Sequence, residues 1–491
     1  MNKPIRRMAV ACMALFLALL LNVTYLQYFR ADELNARADN RRAQDAAFSR
    51  ERGAILIGGR SIAESVPSDG RFEFQRTYSQ AQRYAPLTGY FSYTFGRSNV
   101  EQTQNDILSG SDPRLFVNRV IDLIGNQAPA GGSVSLTINP RAQAAAWDGI
   151  RALGENTKGA VVALEPSTGR ILAMVTNPSY DPNRLASHDL SEVNDAWQQL
   201  NNNPDRPLSN RAAQEVYQPG STFKLVTAAA ALENGYEPDS RVQGGFELEL
   251  PQTTNTLPND GGGNCGGDSI TLTQALQVSC NVSFGALGLE LGADAIAEQA
   301  ERFGFGERPF ADLSAVATSR FPTGESNTDG PLIAYASIGQ QSVQASPLQV
   351  AMVAAGIANG GTVMTPYLVD EVTSPDLQVL DKTEPTPLRS EAVSSQTARA
   401  LTRMMVATVD SGTGTPAQIP GVEVAGKTGT AQRGVGNDAS PLAWFVSFAP
   451  ADDPQVAVAV MIEDAGVART DIAGGRLAAP IARAVMEAVI R

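Results

Sequence analysis

Ser221 and Lys224 stand three residues apart, just after the chain-breaking pair Pro219-Gly220 and ahead of the run LVTAAAALENG. The Ala and Leu residues of that run predict a helix that closes near Gly235. Ser221 would then sit at a helix N-terminus, with Lys224 one turn on and on the same face. A serine hydroxyl is a weak nucleophile until a base removes its proton. A lysine can be that base when burial or a neighbouring cation lowers its pKa. Backbone N–H groups at the helix start would meet a developing oxyanion. Taken alone, S-x-x-K is short, and it reads more simply as an N-cap serine beside a surface lysine.

Two later segments change that weighing. Ser279-Cys280-Asn281 places a hydroxyl and an amide on alternate residues, able to relay a proton and hold a substrate amide. On their own these are ordinary turn residues. Lys427-Thr428-Gly429-Thr430 follows a stretch, Val422 to Ala425, that reads as an edge strand. A lysine and two hydroxyls along it would grip a carboxylate, and Gly429 would admit a close backbone approach.

In this order the three segments resemble the S-x-x-K, S-x-N and K-T-G motifs of the penicillin-binding protein and serine β-lactamase superfamily. Their flanks match as well: Asn210-Arg211-Ala212 and Tyr217-x-Pro219-Gly220 before Ser221, Gly426 before Lys427, and Ala443-Trp444-Phe445 after Thr430. With Pro178 to Pro182 (PSYDP), most of the chain is similar to actinobacterial class B enzymes of the penicillin-binding protein A type. The resemblance implies a serine D,D-transpeptidase that cross-links peptidoglycan stem peptides ending in D-Ala-D-Ala during septum formation and is acylated by β-lactams. It implies Ser221 as nucleophile, Lys224 as its base, and Ser279 as proton relay to the leaving D-alanine. Asn281 would bind the substrate backbone, Lys427 would support the electrostatics, and Thr428 and Thr430 would hold the terminal carboxylate beside Gly429. The backbone N–H groups of Ser221 and Thr430 would form the oxyanion hole. Neither a metal nor an organic cofactor is implied, and division or septum proteins are the implied partners.

These residues need a scaffold. Gly159 to Leu164 and Arg170 to Val175 read as a hairpin around Glu165 to Gly169, and Ala443 to Phe448 and Val456 to Ile462 read as two further strands. Helices are expected around Arg141 to Leu153 and from Ala478 to Ile490, with Pro480 in the first turn of the latter. The fold expected is an α/β (α+β) transpeptidase-like sandwich over residues 156–491, an antiparallel sheet packed between helices. A small, mostly extended accessory domain with its juxtamembrane linker is expected over 30–155. Residues 8–29 form an apolar run behind Lys3, Arg6 and Arg7, which suits one transmembrane anchor with residues 1–7 cytoplasmic and the catalytic part outside the plasma membrane. A signal peptide would need a small-residue cleavage site, and none follows the run. Cys12 lies at the start of the run and reads as a buried membrane thiol. Cys265 and Cys280 are 15 apart, and outside the membrane a disulfide between them would close the Gly-rich loop 261–267 against the site. Two free thiols are the alternative.

Composition removes several other chemistries. With 51 acidic and 38 basic residues the net charge is −13, which speaks against nucleic acid as a ligand. The single histidine, His188, sits in a polar loop and the sequence contains no G-x-S-x-G, which disfavours a Ser-His-Asp hydrolase. Three cysteines and one histidine exclude a zinc ribbon. Gly421 to Thr428 matches the P-loop pattern but reads as strand where a P-loop needs loop and helix. A class A β-lactamase would carry an additional glutamate motif after Ser279, which is not seen. The rivals that remain are a D,D-carboxypeptidase and a non-catalytic β-lactam sensor or division scaffold.

Overall fold

The computed structural model describes residues 3–35, 41–115, 130–324, 330–434 and 438–491. An apolar helix, Lys3–Thr24, runs on as a π-helical turn, Tyr25–Phe29. These 27 residues have a mean hydropathy of 2.2 in their apolar window and none of that window is buried, so the helix is long and apolar enough to cross a membrane.

The site rests on a five-stranded sheet built from β1 (Lys158–Leu164), β2 (Ile171–Asn177), β3 (Ala425–Arg433), β4 (Ala439–Ala449) and β5 (Val456–Asp464). Its order is β3-β4-β5-β1-β2 and every neighbouring pair is antiparallel. Around it lie α1 (Pro140–Ala152), α2 (Lys224–Glu233), α3 (Leu272–Gln277), α4 (Asn281–Arg302), α5 (Pro347–Ala358), α6 (Ser395–Ser411) and α7 (Ala479–Ile490). Successive strand residues point to opposite faces. Val162, Val446, Ala459 and Met461 enter the core shared with α2, α4 and α5, while Val161, Phe445, Val458 and Val460 enter the core shared with α1 and α7. Because both faces are covered, the strands read as unbroken apolar runs in the sequence.

Local side chains set the helix starts. Asn139 caps α1 by accepting from the N–H groups of Arg141 and Ala142, with Pro140 in the first turn. Thr271 and Gln274 form a reciprocal capping box on α3. The edge strand expected at 422–425 is displaced. It begins at Ala425 and runs to Arg433, so Lys427 to Thr430 lie inside the strand rather than after it. Pairing with β4 decides this, because Lys427 opposes Val446 and Thr430 opposes Ala443.

The accessory segment does not complete its own sheet. Six strands line up as Val379–Lys382, Val369–Thr373, Ser133–Leu136, Ile55–Ile57, Arg60–Pro67 and Phe74–Tyr78, and the first two come from a hairpin late in the chain. Helix α1, placed by the sequence in the accessory segment, packs on β2 and α7 of the central sandwich. Such long-range pairing leaves no local periodicity to read.

On the short helix Asn99–Thr103, Glu101 is fully buried with two guanidinium groups. Arg52 Nε donates to Glu101 Oε2 at 2.6 Å, and Arg76 Nε donates to Glu101 Oε1 at 2.7 Å. Tyr78 donates to the same carboxylate at 3.1 Å, and Arg52 lies 4.5 Å over the ring of Phe91. Burial pushes the Glu101 carboxyl up, but Arg76 and Arg52 outweigh it and hold the group below its ordinary value.

Candidate active site

The residues Gly220–Phe223 form a 3₁₀ turn and α2 begins at Lys224, so Ser221 sits one turn ahead of the α-helix proper. Gly220 has a φ of 53° and a side chain there would lie 2.6 Å from the Thr430 carbonyl. Glycine therefore lets the serine turn lie directly against β3. The approach is tight from the other side as well. A Cβ on Gly429 would meet Thr222 at 2.9 Å and Trp444 at 3.0 Å. Trp444 fixes the entry to the turn, its indole Nε1 donating to the Gln218 carbonyl at 3.0 Å.

Lys224 and Lys427 are both fully buried. Lys224 Nζ donates to the Ser279 carbonyl and to Asn281 Oδ1, each at 2.7 Å, and reaches Ser279 Oγ at 3.4 Å. Lys427 Nζ donates to Ser279 Oγ and to the Thr428 carbonyl, both at 2.8 Å. One hydroxyl therefore joins two lysines that come from a helix and from the edge strand. Ser279 holds this place with a φ of 61°, a conformation sparsely used by residues other than glycine. Burial, with the charge of Lys427 second, pushes Lys224 well below the ordinary lysine value. Burial brings Lys427 down to about 7. A neutral amine near physiological pH is what a general base for Ser221 must be.

Ser279 lies between α3 and α4, and Asn281 is the first residue of α4. Asn281 Nδ2 donates to the Pro258 carbonyl at 3.0 Å. The mount for this segment is Asn259, which is buried. Its Oδ1 accepts from the N–H groups of Asn281 at 2.9 Å and Val282 at 3.2 Å. Its Nδ2 donates to the carbonyls of Gly245 and Gly263, both at 2.8 Å. Cys265 and Cys280 are joined by a disulfide, so the Gly-rich loop is fastened to the S-x-N segment from a second point.

The cleft has two lobes that meet at Ser221. One, of about 650 Å³, is lined by Ser279, Thr413, Thr428, Gly429, Thr430 and Arg476. The other, of about 710 Å³, runs along Asn281, Thr430, Gln432 and Arg433. The hydroxyls of Thr413 and Thr428 are 2.6 Å apart. All the candidates from the three motifs therefore converge on one cleft. Asn259 and Thr413 were not singled out by the sequence. Asn259 precedes the Gly-rich loop and Thr413 lies in Gly412-Thr413-Gly414, where turn composition hides any role. His188 lies elsewhere, in the loop between the helices Asn183–Ala186 and Leu190–Asn201, half-buried with its ring edge-on to Phe72 at 5.2 Å. The stretch that matches the P-loop pattern is strand where it carries Lys427, which lies within β3, and β4 is the next described element.

Comparison with known proteins agrees with this geometry. Residues 159–487 match the penicillin-binding protein transpeptidase domain, and residues 52–134 match the penicillin-binding protein A dimerisation domain. The peptidoglycan D,D-transpeptidase PbpA of Mycolicibacterium smegmatis is 46% identical over 499 residues, covering 100% of this chain and 99% of the relative. The enzyme of the same name from Mycobacterium tuberculosis is 45% identical over 494 residues, with 100% and 99% covered. Among solved structures, the ceftriaxone acyl-enzyme complex of penicillin-binding protein A from M. tuberculosis superposes with a TM-score of 0.86 at 44% identity, covering 91% of this chain and 100% of that one. Its penicillin G acyl-enzyme complex gives a TM-score of 0.84 at 44% identity, with 90% and 100% covered. With a serine turn, two buried lysines and a threonine-lined edge strand held in the arrangement the family model spans, this chain belongs to the penicillin-binding protein transpeptidase family.

Proposed function

We infer that the chain is a peptidoglycan D,D-transpeptidase working through an acyl-enzyme on Ser221. The observation that carries this reading is the pair of buried lysines sharing the Ser279 hydroxyl behind the serine turn. Neutral Lys224 takes the Ser221 proton as Oγ attacks the carbonyl carbon of the penultimate D-alanine. Lys224 has to exchange its contacts with Ser279 and Asn281 for the serine as substrate enters, and catalytic hydrogen bonds commonly tighten only in the complex. The oxyanion is received by the N–H groups of Ser221 and Thr430. As the peptide bond breaks, Ser279 passes a proton to the departing D-alanine nitrogen, and Lys427 stabilises the charge around that transfer. Thr428 and Thr430 hold the terminal carboxylate, with Thr413 orienting Thr428. Asn281 holds the substrate backbone. An amine of a neighbouring stem peptide then takes the acyl group. β-Lactams imitate the donor and leave the acyl-enzyme in place.

The apolar helix anchors the chain by a single pass, with Lys3, Arg6 and Arg7 on the cytoplasmic side and residues 156–491 outside, where they cross-link the wall at the septum. Residues 30–155 serve as its pedestal and as a surface for division proteins. The support is the basic flank of the helix and the accessory-domain match.

Intact mass of the full chain in detergent, with and without benzylpenicillin, tests the reading. One stable adduct on the wild type and none on Ser221→Ala is expected. Rapid turnover without an adduct would make the protein a β-lactamase, and no reaction at all would make it a scaffold. Release of D-alanine from a pentapeptide without any cross-linked product would make it a carboxypeptidase.

A further inference from the structure

The cleft contains one charged group that the acylation chemistry leaves unused. Asp260 lines both lobes, as do Ser221 and Thr430. Among the described residues lining those lobes it is the one carboxylate, where Arg433, Arg469 and Arg476 supply the cations. It is exposed, and it takes part in no hydrogen bond or ion pair among the described residues. A free carboxylate on a mobile loop would mean little, but this one stands on a rigid mount. The preceding residue, Asn259, is buried and grips the start of α4 and the carbonyls of Gly245 and Gly263. The Cys265–Cys280 disulfide fastens the loop again five residues on. The chain thus spends two independent fixings on holding Asp260 at the mouth of a site whose other fixed charges are positive.

The second half of the reaction explains such a group. Once D-alanine has left, the acceptor arrives as an ammonium ion. It enters a cleft lined by three arginines, which repel it. A fixed carboxylate at the entrance offsets that repulsion and concentrates cations locally. The charge of Asp260 is felt at Lys224, where it opposes the downward push of burial.

We propose that Asp260 is the positioning residue for the acceptor, binding its ammonium group beside the acylated Ser221 so that the amine is delivered to the acyl carbon in preference to water. This rests on the transpeptidase reading above. In the step itself the ammonium gives one proton to neutral Lys224. The freed amine nitrogen forms a bond to the acyl carbon, and the bond from that carbon to Ser221 Oγ breaks. The second amine proton passes to Ser221 Oγ through Ser279, leaving an amide and a restored serine. Asp260 exchanges no proton and touches only the acceptor.

The test uses the full chain in detergent with an acyl-D-alanyl thioester as donor. The acyl-enzyme is offered D-alaninamide, cationic at pH 7, or hydroxylamine, uncharged at pH 7. The ratio of aminolysis to hydrolysis product is read for each, which does not depend on how fast the acyl-enzyme forms. In Asp260→Asn the ratio for D-alaninamide is expected to fall about tenfold, the scale of one lost charge-assisted contact, with the loss in acceptor half-saturation rather than in maximal rate. Hydroxylamine should change by less than about twofold, and Asp260→Glu should restore most of the D-alaninamide ratio. An equal fall for both acceptors would reduce Asp260 to a prop for the loop. No fall for D-alaninamide would remove it from the acceptor path. A rise, from slower hydrolysis, would make it a water-directing group instead. Failure of the wild type to form the acyl-enzyme at all would overturn the underlying reading, and mass spectrometry of the same samples separates that case from the others.

Discussion

Two clusters of buried cations lie in this molecule and they solve the same problem in opposite ways. In the accessory region Arg52 and Arg76 converge on Glu101. In the cleft Lys224 and Lys427 converge on a hydroxyl, with no carboxylate between them. A guanidinium cannot give up its proton at any ordinary pH, so two of them can be buried only around an anion. An ammonium can lose its proton, so burying two lysines without an anion drives them toward neutrality. The first cluster keeps its charge and serves the architecture. The second is pushed toward its neutral form, which is what the proposed base requires. The difference shows that charge burial as such does not mark a reactive site; what matters is whether the buried group has a neutral form to retreat to.

The comparison can be broken from either side. Replacing Lys224 with Met should lower the benzylpenicillin acylation rate by about 10³-fold or more, within the range for a lost general base. Thermal unfolding of the same variant should change little, because losing a buried amine that has no counter-charge offsets leaving the Ser279 carbonyl and Asn281 Oδ1 without their donor. A collapse of stability would mean that the lysine is structural. Glu101→Ala should behave in reverse. Stability should fall by about 3–5 kcal/mol, since two buried guanidiniums lose their counter-charge, while acylation by the protein that remains folded stays near wild type. Denaturant melts beside acylation rates at low temperature would decide.

Smaller effects sharpen the contrast. Cys265→Ser with Cys280→Ser should cost about 3 kcal/mol, the chain-entropy figure for a loop of this length, read from urea midpoints. The pH response separates the clusters further. Lys427 has a folded pKa of about 7 against 10.5 when unfolded. Between those values the unfolded chain binds more protons, so this group makes stability rise with pH from about 7 upward. Lys427→Met should flatten that rise by up to about 1.4 kcal/mol per pH unit, whereas Arg52 adds no such slope because it stays protonated. Acylation should likewise climb with pH as Lys224 sheds its proton. A profile that does not fall as the solution is made acidic enough to protonate the lysine, while the protein stays folded, would remove it as the base. Thr413→Val, which deletes one neutral hydroxyl contact to Thr428, should slow acylation by only about three- to tenfold.

Much of the cleft was legible because its chemistry is local. Ser221 and Lys224 share one turn, and Lys427 to Thr430 share one strand, so the motifs, in their order and with the resemblance they carry, could place them. The Glu101 cluster was not legible. Its arginines and carboxylate lie far apart in sequence, and an isolated Glu in Asn99-Val100-Glu101 has no signature. Asn259 and Asp260 were overlooked for a different reason, since beside Gly261, Gly262 and Gly263 they read as turn residues.

The sequence by itself determined the apolar N-terminal helix, the strands of the central sheet and the ordered set of candidate site residues. Each of these is written in contiguous residues, through hydrophobic run length, helix caps or motif spacing. Only the tertiary structure decided which lysine faces which oxygen, where β3 begins, that a late hairpin completes the accessory sheet, and that Asp260 shares the cleft with Ser221. Those outcomes depend on burial and on pairing between distant segments. Burial sets a pKa, and pairing sets a register, and neither exists until the chain has folded.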